Sequence, residues 1–284
     1  MSKHLKQLML TALCLFFGAG TAFAGNIVIK GSTTVLPIAQ STLEAFMKAN
    51  PGVNVSLSGG GSGEGVKALI DKTINIANSS REIKDKEVQL AKSKGVNPVA
   101  TVVAIDAIVP IVNPRNKVKN LSIDQLSQIY QGKITNWKEV GGEDLQIVVI
   151  SRDSSSGTFE AWAEMVLNKA KVTPRAQMQA SSGAIVQAVS KNRYAIGYIG
   201  LGYINKSIKP LPVNGIEATI ENAFSKAYPV ARPLYMYTNG QPTGETAKYI
   251  HFVLSPAGQE LVAKDGYVPV TGIKAATKKG KSGR

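Results

Sequence analysis

The residues of this chain best suited to chemistry lie in one short segment, Ser151–Thr158. Arg152 carries a permanent charge and a planar fork of N–H donors, which matches the oxygens of an oxyanion. Ser156 and Thr158 add hydroxyl donors, and Gly157 between them allows the backbone to approach a ligand closely. These residue types at this spacing indicate capture of a small anion. The alternative is that the serines only cap the helix that follows, as serines often do.

The neighbouring sequence predicts that this segment is a turn between a strand and a helix. The apolar, β-branched run 147–150 is typical of a buried strand, and apolar residues recur at helical spacing over 159–169. A helix start leaves backbone N–H groups unpaired and carries a partial positive charge. The turn is therefore suited to hold an anion at a helix N-terminus.

Two further turns combine glycine with hydroxyl groups in the same way. Gly31-Ser32-Thr33-Thr34 follows a predicted strand over 26–30, and Gly61-Ser62-Gly63 follows a predicted strand over 53–57. Each match alone is weak, because turns rich in glycine and serine are common. In a doubly wound sheet, however, such turns lie together at the carboxyl ends of the strands, where ligands bind. The sequence therefore predicts that the three turns converge on one anion.

Strand, turn and helix alternate along the whole chain, which predicts an α/β protein with largely parallel sheets. Two extended segments, 99–112 and 230–237, are longer than the other predicted strands. Of the 284 residues, 44% are hydrophobic, which suffices for one large domain or two lobes.

The charge of the chain gives no sign of a nucleic-acid partner. The formal net charge is +14, but part of it lies in Lys3 and Lys6 near the start and in a basic tail after Gly272. No stripe of lysine and arginine is interleaved with aromatic residues, which argues against nucleic-acid binding.

The first residues have the pattern of a secretory signal. Lys3 and Lys6 precede the apolar run Leu8–Phe17, and Ala22-Phe23-Ala24 is a small-residue cleavage site. Cleavage after Ala24 would remove Cys14, the only cysteine, so we expect a mature chain without disulfide bonds or cysteine–metal sites. A single histidine, His251, would remain. We therefore expect no metal and no cofactor, and no serine hydrolase base.

These motifs together resemble the periplasmic phosphate-binding proteins of high-affinity phosphate ABC transporters, over Asn26 to about Val270. The segments that carry the resemblance are Gly31–Thr34, Gly60–Gly63, Ile76–Arg81, Arg152–Thr158 and Ala195–Tyr198. The resemblance implies a two-lobe periplasmic binding protein fold of the type II-like class, with the ligand in a cleft between lobes joined by hinge strands. It divides the chain into lobe I over 25–104 plus 232–271 and lobe II over 105–231. The residues themselves predict a signal peptide over 1–24 and a basic, disordered tail over 272–284.

The resemblance also implies roles for individual residues. In the resembled family, residues like Thr33, Thr34 and Ser62 donate hydrogen bonds to phosphate. The resemblance further implies that Arg152 makes an ionic contact with the anion and that Ser156–Thr158 complete the cradle. The complete predicted site comprises Ser32, Thr33, Thr34, Ser62, Ser80, Arg152, Ser156, Gly157 and Thr158.

Ser80 departs from the pattern of the resembled family. The best-known members have an aspartate here, which accepts the proton of hydrogen phosphate, whereas this chain has Ser80 followed by Arg81. A serine hydroxyl can still accept a hydrogen bond. The acceptor is therefore left open between the Ser80 hydroxyl and a carboxylate such as Asp153 or Glu64. Asp153 has two further readings, either fixing the fork of Arg152 or favouring the helix start.

The expected function is capture of inorganic phosphate in the periplasm by a monomer, and its delivery to the permease subunits of an ABC transporter, without catalysis. One alternative is a receptor for another tetrahedral oxyanion, such as sulfate or molybdate. Another is a secreted phosphatase or serine hydrolase that uses the same anion cradle.

Overall fold

A computed structural model describes residues 26–270. The predicted signal peptide and the basic tail therefore lie outside the described residues. The strands are β1 (Asn26–Gly31), β2 (Asn54–Ser58), β3 (Ile76–Ser79), β4 (Pro98–Val112), β5 (Val148–Arg152), β6 (Gln177–Gln179), β7 (Ala195–Gly200), β8 (Lys209–Pro210) and β9 (Ala231–Asn239). The helices are α1 (Leu36–Ala49), α2 (Ser62–Ile70), α3 (Asp85–Ser93), α4 (Ile123–Tyr130), α5 (Gly157–Met165), α6 (Ser182–Lys191), α7 (Ile220–Phe224), α8 (Gly244–Leu254) and α9 (Pro256–Lys264).

The strands and helices differ from the sequence prediction mainly where an element has few apolar residues. Helix α3 was not predicted, because Ala91 is its only buried residue, and its first turn is held by a bond from the Lys84 amide to the Glu87 carboxylate. The short elements β6, β8 and α7 were not predicted either. Helix α5 ends at Met165 rather than at residue 169, since Asn168 and Lys169 have φ angles of 48° and 66°, which a right-handed helix cannot contain.

The sheet is more antiparallel than the sequence predicted. Its order is β2-β1-β3-β9-β4-β7-β5-β6, with β8 also paired to β4. Strands β1, β2 and β3 pair in parallel, as do β5, β6 and β7. Strand β9 is antiparallel to both β3 and β4, and β4 is antiparallel to β7. The prediction of largely parallel sheets is therefore wrong for the two long strands, whose apolar sequence does not encode their direction.

The two largest hydrophobic cores of the described residues lie on either side of these long strands. We call the part around β1–β3, α1–α3, α8 and α9 lobe I, and the part around β5–β8 and α4–α7 lobe II. The lobe I core contains Phe46, Leu234 and Tyr249, and the lobe II core contains Trp162 and Ile196. Each lobe buries its own apolar residues, as an independently packed unit does.

Strands β4 and β9 connect the lobes. Residues 98–107 of β4 pair with β9, and residues 108–112 pair with β7 of lobe II. The β4–β9 register shifts between Val102 and Ala104, close to the point where β4 leaves one core for the other. Such a bulge bends a strand and increases its twist. Within residues 26–270, no helix has the length and apolar character needed to cross a membrane.

Candidate functional site

The three turns predicted to bind an anion meet where the two lobes face each other. Each follows a strand and precedes a helix: β1 to α1, β2 to α2, and β5 to α5. The predicted side chains there are almost fully buried, with exposed fractions from 0% to 6%, in Ser32, Thr33, Thr34, Ser62, Ser80, Arg152, Ser156 and Thr158. Gly157 is buried with them. Residues that are far apart in the sequence therefore lie close together in the fold.

Hydroxyl groups from opposite lobes lie within hydrogen-bond distance of each other. The Thr34 and Thr158 Oγ1 atoms are 2.7 Å apart, and Ser80 Oγ is 3.5 Å from Thr158 Oγ1. Ser62 Oγ lies 3.3 Å from Ser80 Oγ and accepts a 3.0 Å bond from the Ser80 amide. A hydroxyl can donate or accept, so these groups can exchange their mutual bonds for bonds to an oxyanion. We call this group the hydroxyl cluster: Thr33, Thr34, Ser62, Ser80, Thr158 and Ser182.

Ser156 caps helix α5 and still has a proton to donate. Its Oγ accepts 3.2 Å bonds from the amides of Thr158 and Phe159, so the capping role considered from the sequence is present. An oxygen that accepts two bonds uses both lone pairs, and its own O–H is then directed away from the helix. Capping and anion binding are therefore compatible at this residue. Ser32 is similar, since its Oγ accepts a 3.2 Å bond from the Thr34 amide.

Gly157 allows the turns of the two lobes to approach. A Cβ atom at this position would lie 2.8 Å from Ser80 Oγ and closer still to Ser62 Oγ, inside van der Waals contact. Gly61 has the same role on the other side, because a Cβ there would lie 2.7 Å from the Ser155 carbonyl oxygen. The small residues seen in the sequence are thus required by contact between the lobes.

Arg152 lies at the end of β5 and is held by backbone carbonyls. Its Nε donates to the Gln179 oxygen at 3.1 Å, and its Nη2 donates to the Ala180 oxygen at 3.0 Å. Its Nη1 faces the hydroxyl cluster, 3.4 Å from Ser182 Oγ. Burial lowers the pKa of Arg152 despite the negative charge of Asp153 nearby. A guanidinium remains charged under such a shift, and its charge is directed at the cluster.

Asp153 makes its hydrogen bonds within the turn, and its effect on the Arg152 guanidinium is through charge. Its Oδ1 accepts a 2.8 Å bond from the Ser155 amide and a bond from the Ser155 hydroxyl. Glu64 is exposed and forms an ion pair with Lys30 at 3.0 Å. Both carboxylates considered as acceptors of a ligand proton therefore have partners outside the hydroxyl cluster. Ser80 is the candidate that lies inside it.

A stack of aromatic residues supports the Arg152 turn from within lobe II. The rings of Trp162 and Tyr198 are parallel, with centroids 4.5 Å apart. The Tyr198 hydroxyl lies 2.9 Å from Ser151 Oγ and accepts a 3.2 Å bond from the Arg152 amide. This packing fixes the start of the turn, so that Arg152 and Ser156 have defined positions.

Sequence reasoning missed four residues of this region. Ser182 begins α6, and its amide donates a 3.3 Å hydrogen bond to Thr33 Oγ1. The Tyr203 hydroxyl donates to the Thr33 carbonyl. Arg232 and Asp106 pair across β9 and β4. Ser181-Ser182-Gly183 repeats the glycine and hydroxyl pattern of the other turns, so Ser182 could have been predicted from the sequence. For Asp106 and Arg232 the sequence signal was a charged residue within each long apolar strand.

The Asp106–Arg232 pair is buried where β4 and β9 cross between the lobes. Asp106 Oδ2 lies 3.4 Å from Arg232 Nη2, and Asp106 Oδ1 accepts a 2.9 Å bond from the Leu201 amide. Burial raises the pKa of Asp106 to about 6, and the charge of Arg232 opposes that rise. Burial also lowers the pKa of Arg232, which Asp106 opposes. The desolvation of both charges is only partly offset by their attraction.

Contacts at the rim hold the lobes together in this structure. The Gly63 amide of lobe I donates to the Ser155 carbonyl of lobe II at 2.9 Å. Glu160 of α5 lies 2.9 Å from Arg81 Nε and 2.6 Å from Lys84 Nζ, both in lobe I. These contacts enclose the hydroxyl cluster. Between residues 26 and 270, no group of three or more His, Cys, Asp or Glu side chains is arranged to hold a metal ion.

Comparison with known proteins identifies the family. The model of the PBP superfamily domain matches residues 18–257. A phosphate-binding protein, PstS, of Borreliella burgdorferi is 34% identical over 256 residues, covering 86% of this chain and 90% of that protein. The PstS of Bacillus subtilis is 31% identical over 253 residues, covering 88% and 83%.

Solved structures agree with this assignment. A crystal structure of a phosphate ABC transporter substrate-binding protein from Clostridium perfringens, with bound phosphate, is 38% identical with a TM-score of 0.82 and covers 87% of this chain and 100% of that one. An ABC-type phosphate transport receptor from Vibrio cholerae is 31% identical with a TM-score of 0.70, covering 85% and 99%. The predicted resemblance and the two-lobe α/β fold are confirmed. The chain belongs to the PBP superfamily and, within it, to the family of phosphate-binding substrate-binding proteins.

Proposed function

We propose that this protein binds inorganic phosphate between its lobes and delivers it to the permease subunits of an ABC transporter. The observation that carries the proposal is the meeting of Thr34 and Thr158 hydroxyls, from turns on opposite lobes, 2.7 Å apart in a buried cluster. Arg152 provides a permanent positive charge directed at the same cluster. Donors that converge from two lobes in a buried site suit a small oxyanion that is enclosed on all sides.

The proposed site retains every residue predicted from the sequence. Arg152 neutralises charge on the anion, and the hydroxyl groups donate to its oxygens, with Ser156 doing so while it caps α5. Gly157 lets the turns close around the ligand. The residues proposed to bind phosphate are Ser32, Thr33, Thr34, Ser62, Ser80, Arg152, Ser156, Gly157 and Thr158.

We propose the lobe boundaries predicted from the sequence, with lobe I over 25–104 plus 232–271 and lobe II over 105–231. The separate cores on either side of β4 and β9 support this division. An anion enclosed between lobes needs a route in, so the two connecting strands are proposed to act as hinges.

The proposed location is the periplasm, with cleavage of a signal peptide after Ala24. The proposed protein is a monomer that catalyses no reaction. Support comes from the secretory pattern of the first residues and from the relatives, whose names describe binding and transport. The single histidine after Ala24, His251, is exposed on α8, so it is not placed to activate a serine of the cluster.

Titration calorimetry with phosphate, sulfate and molybdate tests the proposal, combined with an assay for turnover of a chromogenic phosphoester. We expect tight binding of phosphate, weaker binding of the other anions, and no turnover. Preference for sulfate or molybdate would replace phosphate with another oxyanion. Release of the chromophore, lost on replacing Ser62 with Ala, would indicate an enzyme instead. Mass spectrometry of the anion carried by the purified protein provides an independent check.

A further inference from the structure

Arg232 is a second buried arginine beside the proposed phosphate site. It lies on β9 opposite Asp106 of β4, at the point where the connecting strands pass between the lobes. Only 6% of its surface is exposed. A buried charge is retained in a fold when it is paired and hydrogen-bonded, so the partners of its guanidinium indicate what it does.

The guanidinium of Arg232 contacts residues of the proposed phosphate site from both lobes. Its Nη1 donates to the Ser80 carbonyl at 2.7 Å and to the Gly157 carbonyl at 3.1 Å. Its Nη2 donates to Thr158 Oγ1 at 2.8 Å, a shorter distance than the 3.4 Å to Asp106 Oδ2. The closest contacts of Arg232 are thus with the turns, so neutralising Asp106 does not account for its position.

The bond from Arg232 determines what the Thr158 hydroxyl can do. An arginine only donates, so Thr158 Oγ1 must accept from Nη2, and its own proton remains available. The nearest other groups are the Thr34 and Ser80 hydroxyls. An oxyanion that enters this cluster offers acceptors only, apart from any proton it carries, and Thr158 is already prepared to donate to it.

The charges of the two arginines add to this effect. Burial lowers the pKa of Arg232, and the positive charge of Arg152 contributes in the same direction, whereas Asp106 opposes it. The two guanidinium groups are therefore close enough to repel each other. A dianion bound between the turns would relieve that repulsion.

We propose that Arg232 is a positioning residue of the phosphate site, which orients the Thr158 hydroxyl toward the anion and joins the Ser80 and Gly157 turns of the two lobes. The inference rests on the proposed function. It assigns a binding role to a residue on a connecting strand, outside the three turns. Lysine cannot replace it, because an ammonium group lacks the planar fork that reaches two turns at once.

Calorimetric titration of inorganic phosphate into the full chain tests the inference, with Arg232→Lys, Thr158→Val and the double variant compared with the wild type. We expect each single change to weaken phosphate binding at least about tenfold. If Arg232 acts through the Thr158 hydroxyl, the double variant will bind within about threefold of the weaker single variant. Arg193→Lys is the matched control, because Arg193 pairs with Glu143 at the surface. The Arg193→Lys variant should bind phosphate with the affinity of the wild type.

A second variant keeps the inference testable if Arg232→Lys does not fold. Asp106→Asn combined with Arg232→Gln removes both charges of the pair, and we expect the same loss of affinity because the fork is gone. Wild-type affinity in this neutral pair would show that Arg232 only balances Asp106, and would overturn the inference. Unchanged affinity in Arg232→Lys, or losses that multiply in the double variant with Thr158→Val, would also overturn it. Absence of phosphate binding by the wild type would contradict the proposed function itself and, with it, this role of Arg232.

Discussion

Arg152 combines two tasks in a single side chain. Two of its donors hold carbonyls of the 179–180 segment, while Nη1 faces the hydroxyl cluster. A lysine at this position could not divide its donors in this way, because its three N–H bonds all start from the same nitrogen atom. The residue type is therefore set by local structure, in addition to the charge proposed for the ligand.

The first prediction is that Arg152→Ala weakens phosphate binding at least about tenfold. A charge-assisted hydrogen bond contributes about 1.5–3 kcal/mol, and each ~1.4 kcal/mol changes the dissociation constant tenfold. Calorimetry measures the change, and Arg115→Ala at an exposed position is the control. Equal affinities for wild type and Arg152→Ala would place the anion elsewhere.

The second prediction concerns Ser80, where an acceptor is needed for the proton of hydrogen phosphate. Near neutral pH phosphate keeps at least one proton and sulfate has none, and an unpaired buried donor costs about 1–3 kcal/mol. Since Asp153 and Glu64 have other partners, Ser80→Ala should weaken phosphate binding more than sulfate binding. Competition between the two anions on wild type and variant measures the gap. Equal losses for both would identify Ser80 as one more donor.

At the scale of elements, the turns are shaped by contact between the lobes. The third prediction is that Gly157→Ala weakens phosphate binding at least about fivefold, since the added Cβ would lie 2.8 Å from Ser80 Oγ and a clash of this kind costs about 1–3 kcal/mol. The clash exists only when the lobes meet, so the unfolding midpoint measured without phosphate should change little. Gly183→Ala, in the first turn of α6 where a Cβ would have only Ser181 Oγ within 4 Å, at 3.9 Å, controls for the substitution itself. Tight binding by Gly157→Ala would show that these turns do not close on the anion.

The connecting strands contain a buried carboxylate whose titration should be measurable. Burial raises the pKa of Asp106 from its ordinary 3.8 to about 6. The folded protein therefore binds more protons here than the unfolded chain between these values. This contribution to stability is complete below the unfolded pKa and is lost as the pH rises through the folded pKa.

The fourth prediction is that the free energy of unfolding without phosphate falls more steeply between about pH 4 and pH 6 in the wild type than in Asp106→Asn. Urea unfolding at several pH values measures both slopes. The comparison uses slopes because the substitution also changes the absolute stability, by removing the carboxylate that pairs with Arg232 once Asp106 is ionised. Parallel curves would mean that Asp106 does not titrate in this range.

At the scale of the whole molecule, two cores joined by two strands allow the lobes to move as units. The fifth prediction is that phosphate makes the protein more compact, because the contacts of Glu160 with Arg81 and Lys84 cross the interface between the lobes. Small-angle scattering with and without phosphate measures the radius of gyration. An identical radius in both states would contradict closure about β4 and β9, and sodium chloride at the same ionic strength is the control.

The sequence by itself determined the α/β class, most helices and strands, and the three turns with Arg152. These features are local: an apolar period, a glycine beside hydroxyls and a helix start are visible within about ten residues. The resemblance to the family added Ser80, which lies in the same buried cluster. Helix α3 was missed because its stability comes from its first turn and a single buried alanine.

Only the tertiary structure decided which distant residues face each other. Asp106 and Arg232 stand 126 positions apart in the chain, and their cross-strand pairing follows from the antiparallel register of β4 and β9. The direction of those strands, the contact of Thr34 with Thr158 and the position of Ser182 beside Thr33 all depend on how two separate cores dock. Periodicity reports which face of an element is buried, but not against which element it packs. For that reason the three glycine and hydroxyl turns could be found in the sequence, whereas Arg232 was marked there only as a charge within an apolar strand, with no sign of the segments it contacts.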